Sequence, residues 1–313
     1  MPEVESRMKH VSIVIVNWNG VVDTCVALDS IQKLHTNKFR LETYVVDNGS
    51  TNDSVSILQN NYPWIHLIEA GNNLGFSGGN NVGIQAALDD GADLVWLLNN
   101  DTYVSSDSAC LADAFDDVQV GVAGSKIYFA KGHEYHKTRY KAADRGKVIW
   151  YAGGKIDWRN MYASHRGVDE VDHGQYEKTI STEFVTGCSM MISRAVFERI
   201  GKLDDAYYLY LEDVDFSLRA KRAGFDLIYY PKSMIWHINA GSTGGPGNPV
   251  HEYYQTRNRI LAGMRYAPLR TKVALIKESL RFLFYGSTVK RKAITDAFFG
   301  RWGKQYETKT SIT

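Results

Sequence analysis

The sequence predicts an α/β protein whose body is a doubly wound, mainly parallel sheet. Three observations carry that expectation. Apolar, β-branched runs recur along the first hundred residues. Segments with helical spacing separate them. A polar cluster follows three of the four runs. Alternation of this kind favours parallel strands with helices on both faces.

VSIVIVN (Val11–Asn17) is a continuous β-branched run, suited to a strand covered on both sides. Val21 to Leu34 has helical spacing. LETYVVD (Leu41–Asp47) is the next strand, and Asp53 to Asn60 a helix opened by Ser50, Thr51 and Asn52. WIHLIEA (Trp64–Ala70) is a third strand. Ser77 to Asp89 is a helix behind a Gly/Asn loop, and LVWLLNN (Leu94–Asn100) a fourth strand. Beyond Asp101 the pattern loosens. Lys131 to Thr182 holds short candidate strands such as VIWYAGG and a middle that reads as mobile. STEFVTGCSMMISRAVFERIG then reads as strand and helix, LEDVDFSLRAKRAG as helix, and FDLIYYP as a strand ended by Pro231. This half suggests a smaller mixed sheet packed on the first.

Composition narrows the function. Apolar residues at 44% and charged residues at 23% exclude a disordered chain. The formal charge of +1 argues against a nucleic-acid binder. It hides an asymmetry: His251 to Thr313 carries 13 Lys/Arg and 4 Asp/Glu, and the first 250 residues carry 23 and 31. The acidic body and basic tail meet at the Gly/Pro-rich stretch Ala240–Pro249. Three scattered cysteines, Cys25, Cys110 and Cys188, suit a reducing compartment. MPEVESRMKH lacks the apolar core of a signal peptide, and no uncharged apolar run approaches the roughly 18 residues of a spanning helix. The expectation is a cytoplasmic protein.

In doubly wound sheets ligands bind beyond the carboxyl ends of the strands. Asn17-Trp18-Asn19, Asp47-Asn48-Gly49-Ser50 and Asn99-Asn100-Asp101 all sit there. Asp47 suits either a nucleobase or ribose contact or a helix cap. The stretch Gly71–Gly83 would let backbone approach an anion, but it follows the third strand, so it fails the dinucleotide fingerprint. Asp101 alone binds a hard cation weakly, so a diphosphate must complete the sphere; capping is the alternative. Glu212, Asp213 and Asp215 open a helix, where the dipole favours acids, yet three exceed what a cap needs. One of them, aimed into a cleft, makes a general base. His237 sits at a strand end beside a glycine turn. Arg257 is either a further cation for a diphosphate or a surface salt-bridge partner.

The motifs VSIVIVNWNG, VVDNGSTNDS, NLGFSGGNNVGI, LLNNDT, EFVTGCSMMISR and YLEDVDFSLR occur in that order. Together they resemble a family 2 glycosyltransferase of the GT-A fold, rhamnosyltransferase-like branch, over about Val11 to Arg259. The resemblance implies a Rossmann-like, mixed, mainly parallel sheet flanked by helices, with a C-terminal helical extension. Residues 8–250 would form the GT-A domain, 8–101 its nucleotide-binding half and 102–250 its acceptor and catalytic half; 251–313 would be the basic helical region. It implies inverting transfer of a sugar, rhamnose as the best guess, from a nucleotide-diphosphate donor (dTDP-rhamnose or a UDP-sugar) to a glycan or lipid-linked acceptor in cell-surface polysaccharide synthesis. By motif, Asp213 matches the catalytic base and Asp47 the base-binding residue. Asn17, Asn19, Asn73, Gly75, Asn80, Asn99 and Asn100 fall in the donor loops. Asp101 and His237 match the ligands of a divalent metal, Mg²⁺ or Mn²⁺. One departure is that Asn99 stands where the family's Asp-X-Asp motif begins, which removes a charge from the metal site.

A nucleotidyltransferase is the nearest rival, but NWNGVVDTC has no basic phosphate loop. A non-catalytic nucleotide-sugar-binding module would not need the three acids. In the tail, Val273, Ile276, Leu280, Leu283 and Phe284 recur on one helical face among cations. That face is expected to pack on the catalytic domain or a second subunit, or to touch the inner face of the plasma membrane.

Overall fold

The computed structural model describes residues 8–36, 38–136, 138–238 and 248–307. In the first hundred residues the runs become elements in the expected order. These are β1 (Lys9–Asn17), α1 (Val21–Ile31), β2 (Phe39–Asp47), α2 (Ser54–Asn61), β3 (His66–Glu69), α3 (Gly75–Asp89) and β4 (Leu94–Leu98). β1 pairs in parallel with β2 and β4, and β2 with β3. Alternate residues of β1 serve opposite faces: Ile13 and Ile15 join one core cluster, Val14 the other. Helix α3 starts two residues earlier than expected, so much of the Gly/Asn stretch is helix rather than ligand loop. Its glycines serve packing. A Cβ on Gly83 would lie 2.4 Å from a Val14 methyl, and one on Gly79 2.9 Å from a Val16 methyl, so side chains there would push α3 off the sheet.

Most of the second half joins the first sheet, and only a two-stranded antiparallel ribbon, Gly154–Asp157 with Tyr162–His165, stands apart from it. This half contributes β5 (Thr102–Val104), a 3-10 stretch (Ser108–Asp116), β6 (Val120–Phe129), β7 (Ile149–Tyr151), β8 (Gly154–Asp157), β9 (Tyr162–His165), β10 (Ile180–Ser181), β11 (Ser189–Ser193), α4 (Arg194–Ile200), α5 (Glu212–Arg222) and β12 (Asp226–His237). β11 pairs antiparallel with both β4 and β6, and β12 runs parallel to β6. One ten-stranded mixed sheet results, in the order β10-β12-β6-β11-β4-β1-β2-β3, with β5 on β12 and β7 on β6. The physical reason is β4: all five of its residues are buried, so both of its edges need a partner strand. Nor does Pro231 end its strand. β12 continues to His237 because its register with β6 slips between Tyr230 and Met234, which leaves the proline out of the ladder.

The basic region is helical: α6 (Pro249–Tyr266), α7 (Leu269–Tyr285) and α8 (Thr288–Phe298). The Asn248 side chain caps α6 by accepting from the Val250 N–H, with Pro249 in the first turn. The boundary expected at Ala240–Pro249 lies, for residues 240–247, outside the described residues. Helix α7 corrects the packing expectation for the tail. Thr271, Leu275 and Ser279 face the protein, whereas Val273, Ile276, Leu280 and Phe284 are exposed and only Leu283 is half-buried. Among the described residues no helix is long and apolar enough to cross a membrane.

Candidate active site

The carboxyl ends of β1 and β4 open into a cleft of about 1000 Å³. Of the eleven residues matched to the family's site by motif, eight line it: Asn73, Gly75, Asn80, Asn99, Asn100, Asp101, Asp213 and His237. Asn17, Asn19 and Asp47 do not. Asp47 is buried, and its two oxygens accept from Asn17 Nδ2 at 2.9 Å and from the Ser50 N–H at 2.9 Å. Asn19, with φ +55°, accepts from the Thr51 N–H at 2.8 Å. The three residues join the loop after β1 to the loop after β2, and between them Trp18 stands exposed on the cleft wall.

The asparagines of the cleft are also occupied with backbone. Asn48 donates to the Gly75 carbonyl and accepts from the Leu74 N–H. Asn73 accepts from the Gly75 N–H, and Asn80 donates to the Phe76 carbonyl. Asn100 Nδ2 donates to Thr24 Oγ1 at 3.1 Å, beside Gly20, where a Cβ would lie 2.7 Å from that nitrogen. Gly75 holds φ +73°, and a Cβ on it would lie 2.3 Å from the Tyr208 ring. Only glycine fits there.

At the centre of the cleft, Asp101 Oδ1 lies 3.1 Å from His237 Nε2. The two are 136 positions apart in sequence. Antiparallel pairing of β5 with β12 sets His237 opposite Thr102 and so beside Asp101. His237 is buried, and its Nδ1 has no hydrogen-bond partner among the described residues. Its ring meets Trp150 edge-on at 4.6 Å, and Trp150 meets His165 in the same way at 4.3 Å. Burial pushes His165 down to about 4, so it is neutral at physiological pH, donating Nδ1–H to the Trp150 carbonyl.

One nitrogen and one oxygen donor at this spacing fit a divalent cation. Two ligands cis on an octahedral ion, each at about 2.1 Å, stand about 3.0 Å apart. No cluster of three or more metal-ligating side chains occurs among the described residues. The site therefore suits an ion shared with a phosphate ligand rather than one caged by protein.

Helix α5 supplies the acids. Asp213 faces the cleft, half-buried, accepting from the Gly187 N–H at 3.0 Å and the Val214 N–H at 2.8 Å. Burial raises its carboxyl above the usual range, against those backbone donors. Glu212 is buried beside it, with Oε2 unpartnered; burial first and then the Asp213 charge push its carboxyl far up, which keeps it neutral. The buried Cys188 thiol is pushed up by burial, then by Asp101 and then by Asp213. Both carboxylates thus act on one small volume. Asp215 is different. It is fully buried and bonded to Tyr207, Tyr266, Arg219 and Arg265, so it holds the fold.

The sequence did not reveal the loop before α5. Tyr208, Tyr210 and Leu211 all have positive φ, 63° to 69°, a conformation costing roughly 1–3 kcal/mol at each non-glycine residue. It is clamped from two sides. The Phe76 N–H at the start of α3 donates to the Tyr208 carbonyl at 2.7 Å. From α6, Asn258 Nδ2 lies within bonding distance of the Tyr207, Leu209 and Tyr210 carbonyls, and Arg257 donates to the Ala206 and Tyr207 carbonyls. Arg257 is therefore neither a surface salt-bridge partner nor a cation of the cleft; it is fully buried and braces this loop. Gln255 and Arg259, also on α6, do reach the cleft. The helix expected as an appendage forms part of its wall.

The chain matches the model of the family described as glycosyltransferase like family 2 over residues 9–260. It is 26% identical over 226 residues to the low-salt glycan biosynthesis hexosyltransferase Agl10 of Haloferax volcanii, covering 71% of this chain and 65% of that protein. It is 27% identical over 245 residues to N-acetylglucosaminyl-diphospho-decaprenol L-rhamnosyltransferase of Mycobacterium tuberculosis, covering 72% and 77%. Among solved structures, GalNAc-T7 with UDP, GalNAc and Mn²⁺ superposes with a TM-score of 0.68 at 17% identity, over 94% of this chain and 55% of that one. That likeness is one of fold.

Proposed function

Since this chain belongs to glycosyltransferase like family 2 and has the GT-A fold, we propose that it transfers a sugar, rhamnose by preference, from a nucleotide-diphosphate donor to a hydroxyl of a glycan or lipid-linked acceptor. The observation that carries this is that Asp213 and the Asp101–His237 pair line one cleft. The rhamnose preference rests on the name of the mycobacterial relative. Residues 8–101 form the donor half, 102–250 the acceptor and catalytic half, and 251–313 the basic region.

In this reading the donor's base lies at the Trp18 end, in loops held by Asn17, Asn19 and Asp47. Asn73, Gly75, Asn80, Asn99 and Asn100 line its path. Asp101 and His237 would hold a divalent cation, Mg²⁺ or Mn²⁺, together with the diphosphate, and such an ion would supply positive charge against the negative charge developing on the departing nucleoside diphosphate.

Asp213 takes the proton of the acceptor hydroxyl onto a carboxylate oxygen. The acceptor oxygen bonds the anomeric carbon as the bond to the phosphate oxygen breaks. Attack from the face opposite the leaving group inverts that carbon. A raised Asp213 carboxyl is a stronger base than an ordinary aspartate, which suits the task. Keeping Glu212 neutral spares Asp213 a second adjacent negative charge. The three free cysteines support placing the reaction in the reducing cytoplasm.

The test is thermal unfolding with dTDP- and UDP-sugars, with and without Mn²⁺. A ligand at 100 times its dissociation constant adds about 2.7 kcal/mol. A nucleotide-sugar shift enlarged by Mn²⁺ is expected, and Asp101→Ala should remove the enlargement. Indifference to every nucleotide sugar overturns the donor reading. An unchanged metal effect in Asp101→Ala overturns the ligand assignment. Release of pyrophosphate in place of nucleoside diphosphate would mark a nucleotidyltransferase.

A further inference from the structure

We propose that the outer face of α7 docks on an anionic lipid bilayer. Leu269, Val273, Ile276, Leu280 and Phe284 fall at steps of four, three, four and four residues, a single stripe at 3.6 residues per turn. All five are exposed, Leu269 by 77% and Phe284 by 75%. The inward side has its own apolar contacts: Leu275 is buried with Thr271 and Ser279, and Phe282 and Leu283 are half-buried against α6 and α8. A surface helix of a globular protein ordinarily keeps its outer face polar. Here a second apolar stripe faces outward, and packing on α6 and α8 gives no reason for it.

The charges around the stripe select the occupant. Arg270, Lys277 and Arg281 are exposed and fall along one edge of it. The only acid of α7, Glu278, accepts from Arg259 Nη1 at 2.8 Å. It lies about half a turn from the stripe. The face therefore presents apolar side chains and cations without an acid. A second copy of the chain laid against it would oppose cation to cation. A bilayer with anionic headgroups accepts both features at once: the side chains enter the interface and the cations meet the headgroups.

Arg259 bonds Glu278 and also lines the cleft, so the stripe is about one helix diameter from the cleft wall, roughly 10 Å. An acceptor held in the bilayer would then enter from the docked side. That use of the surface rests on the transferase reading; the docking does not.

Vesicle co-sedimentation of the full chain tests it. Binding is expected to phosphatidylglycerol-containing vesicles, weakened by salt, and not to pure phosphatidylcholine. Replacing Arg270, Lys277 and Arg281 by Ser should weaken binding about a hundredfold, near fivefold for each cation. The double variant L280S/F284S should abolish it. All five positions are exposed, so the nucleotide-induced thermal shift should survive in both variants as a check on folding. Asp213→Asn should bind vesicles like wild type, which separates failure of docking from failure of the transferase reading. The proposal is overturned if the chain ignores anionic vesicles at low salt, if both surface variants bind unchanged, or if the chain is a dimer that L280S/F284S dissociates.

Discussion

The two faces of α5 carry carboxylates two residues apart that are wired in opposite ways. On the rear, Asp215 is fully buried with two tyrosine hydroxyls and two guanidinium groups around it. On the front, Asp213 has the Gly187 and Val214 backbone donors, and its buried neighbour Glu212 has an unpartnered oxygen. An acid whose lone pairs are filled by cations and hydroxyls holds its ground state firmly and gains little from a proton. An acid that burial raises, held by neutral donors rather than guanidinium groups, is readier to take one.

The largest expected effect breaks the front face. Asp213→Asn should lower turnover by about 10²- to 10⁴-fold while leaving the nucleotide-induced thermal shift intact. Near-normal turnover would remove Asp213 from the chemistry and make the two faces equivalent.

The rear face should respond in stability. Asp215→Ala leaves Arg219 and Arg265 without their shared carboxylate and is expected to cost about 3 kcal/mol, the low end for a broken buried pair. The low end applies because Arg219 keeps the Ile200 and Lys202 carbonyls and Arg265 keeps Asp204. Urea unfolding measures the loss. A stability within error of wild type would show that the knot is not needed to hold the fold.

The smallest effect is a pH slope. Glu212 has a folded-state pKa raised above its unfolded value, chiefly by burial. Its neutral form is the one the fold favours, so its contribution is whole below about pH 4 and is lost as pH rises toward the folded pKa. Gln does not titrate. Glu212→Gln should therefore gain melting temperature relative to wild type as pH rises from 4 to 8. A variant that loses ground over that range would mean that Glu212 is ionised and partnered.

Much of the first hundred residues was legible. Continuous β-branched runs suit strands covered on both faces, and in a parallel sheet the polar residues that end them lie at its carboxyl edge. That reasoning alone places Asn99 to Asp101 on the cleft. It does not say what each amide does, and most proved to bond backbone. The strained loop left no mark, because Tyr208, Tyr210 and Leu211 are residues that sequence reasoning assigns to ordinary conformations. Their positive φ values are held by distant partners: the Phe76 N–H at the start of α3, and Asn258 and Arg257 about fifty residues later, all bonded to the loop's carbonyls.

The sequence by itself determined the order of strands and helices, the ends where polar residues collect, and the acids that open α5. These depend on local spacing and on the free energy of burying apolar side chains, which a linear pattern records. The tertiary structure alone decided that β11 and β12 join the first sheet, that His237 meets Asp101, that Arg257 turns inward and that the apolar stripe of α7 turns outward. Each of these is a choice of partner between distant segments. The periodicity of a helix states that it has an apolar face; only the surfaces available around it decide whether that face is covered.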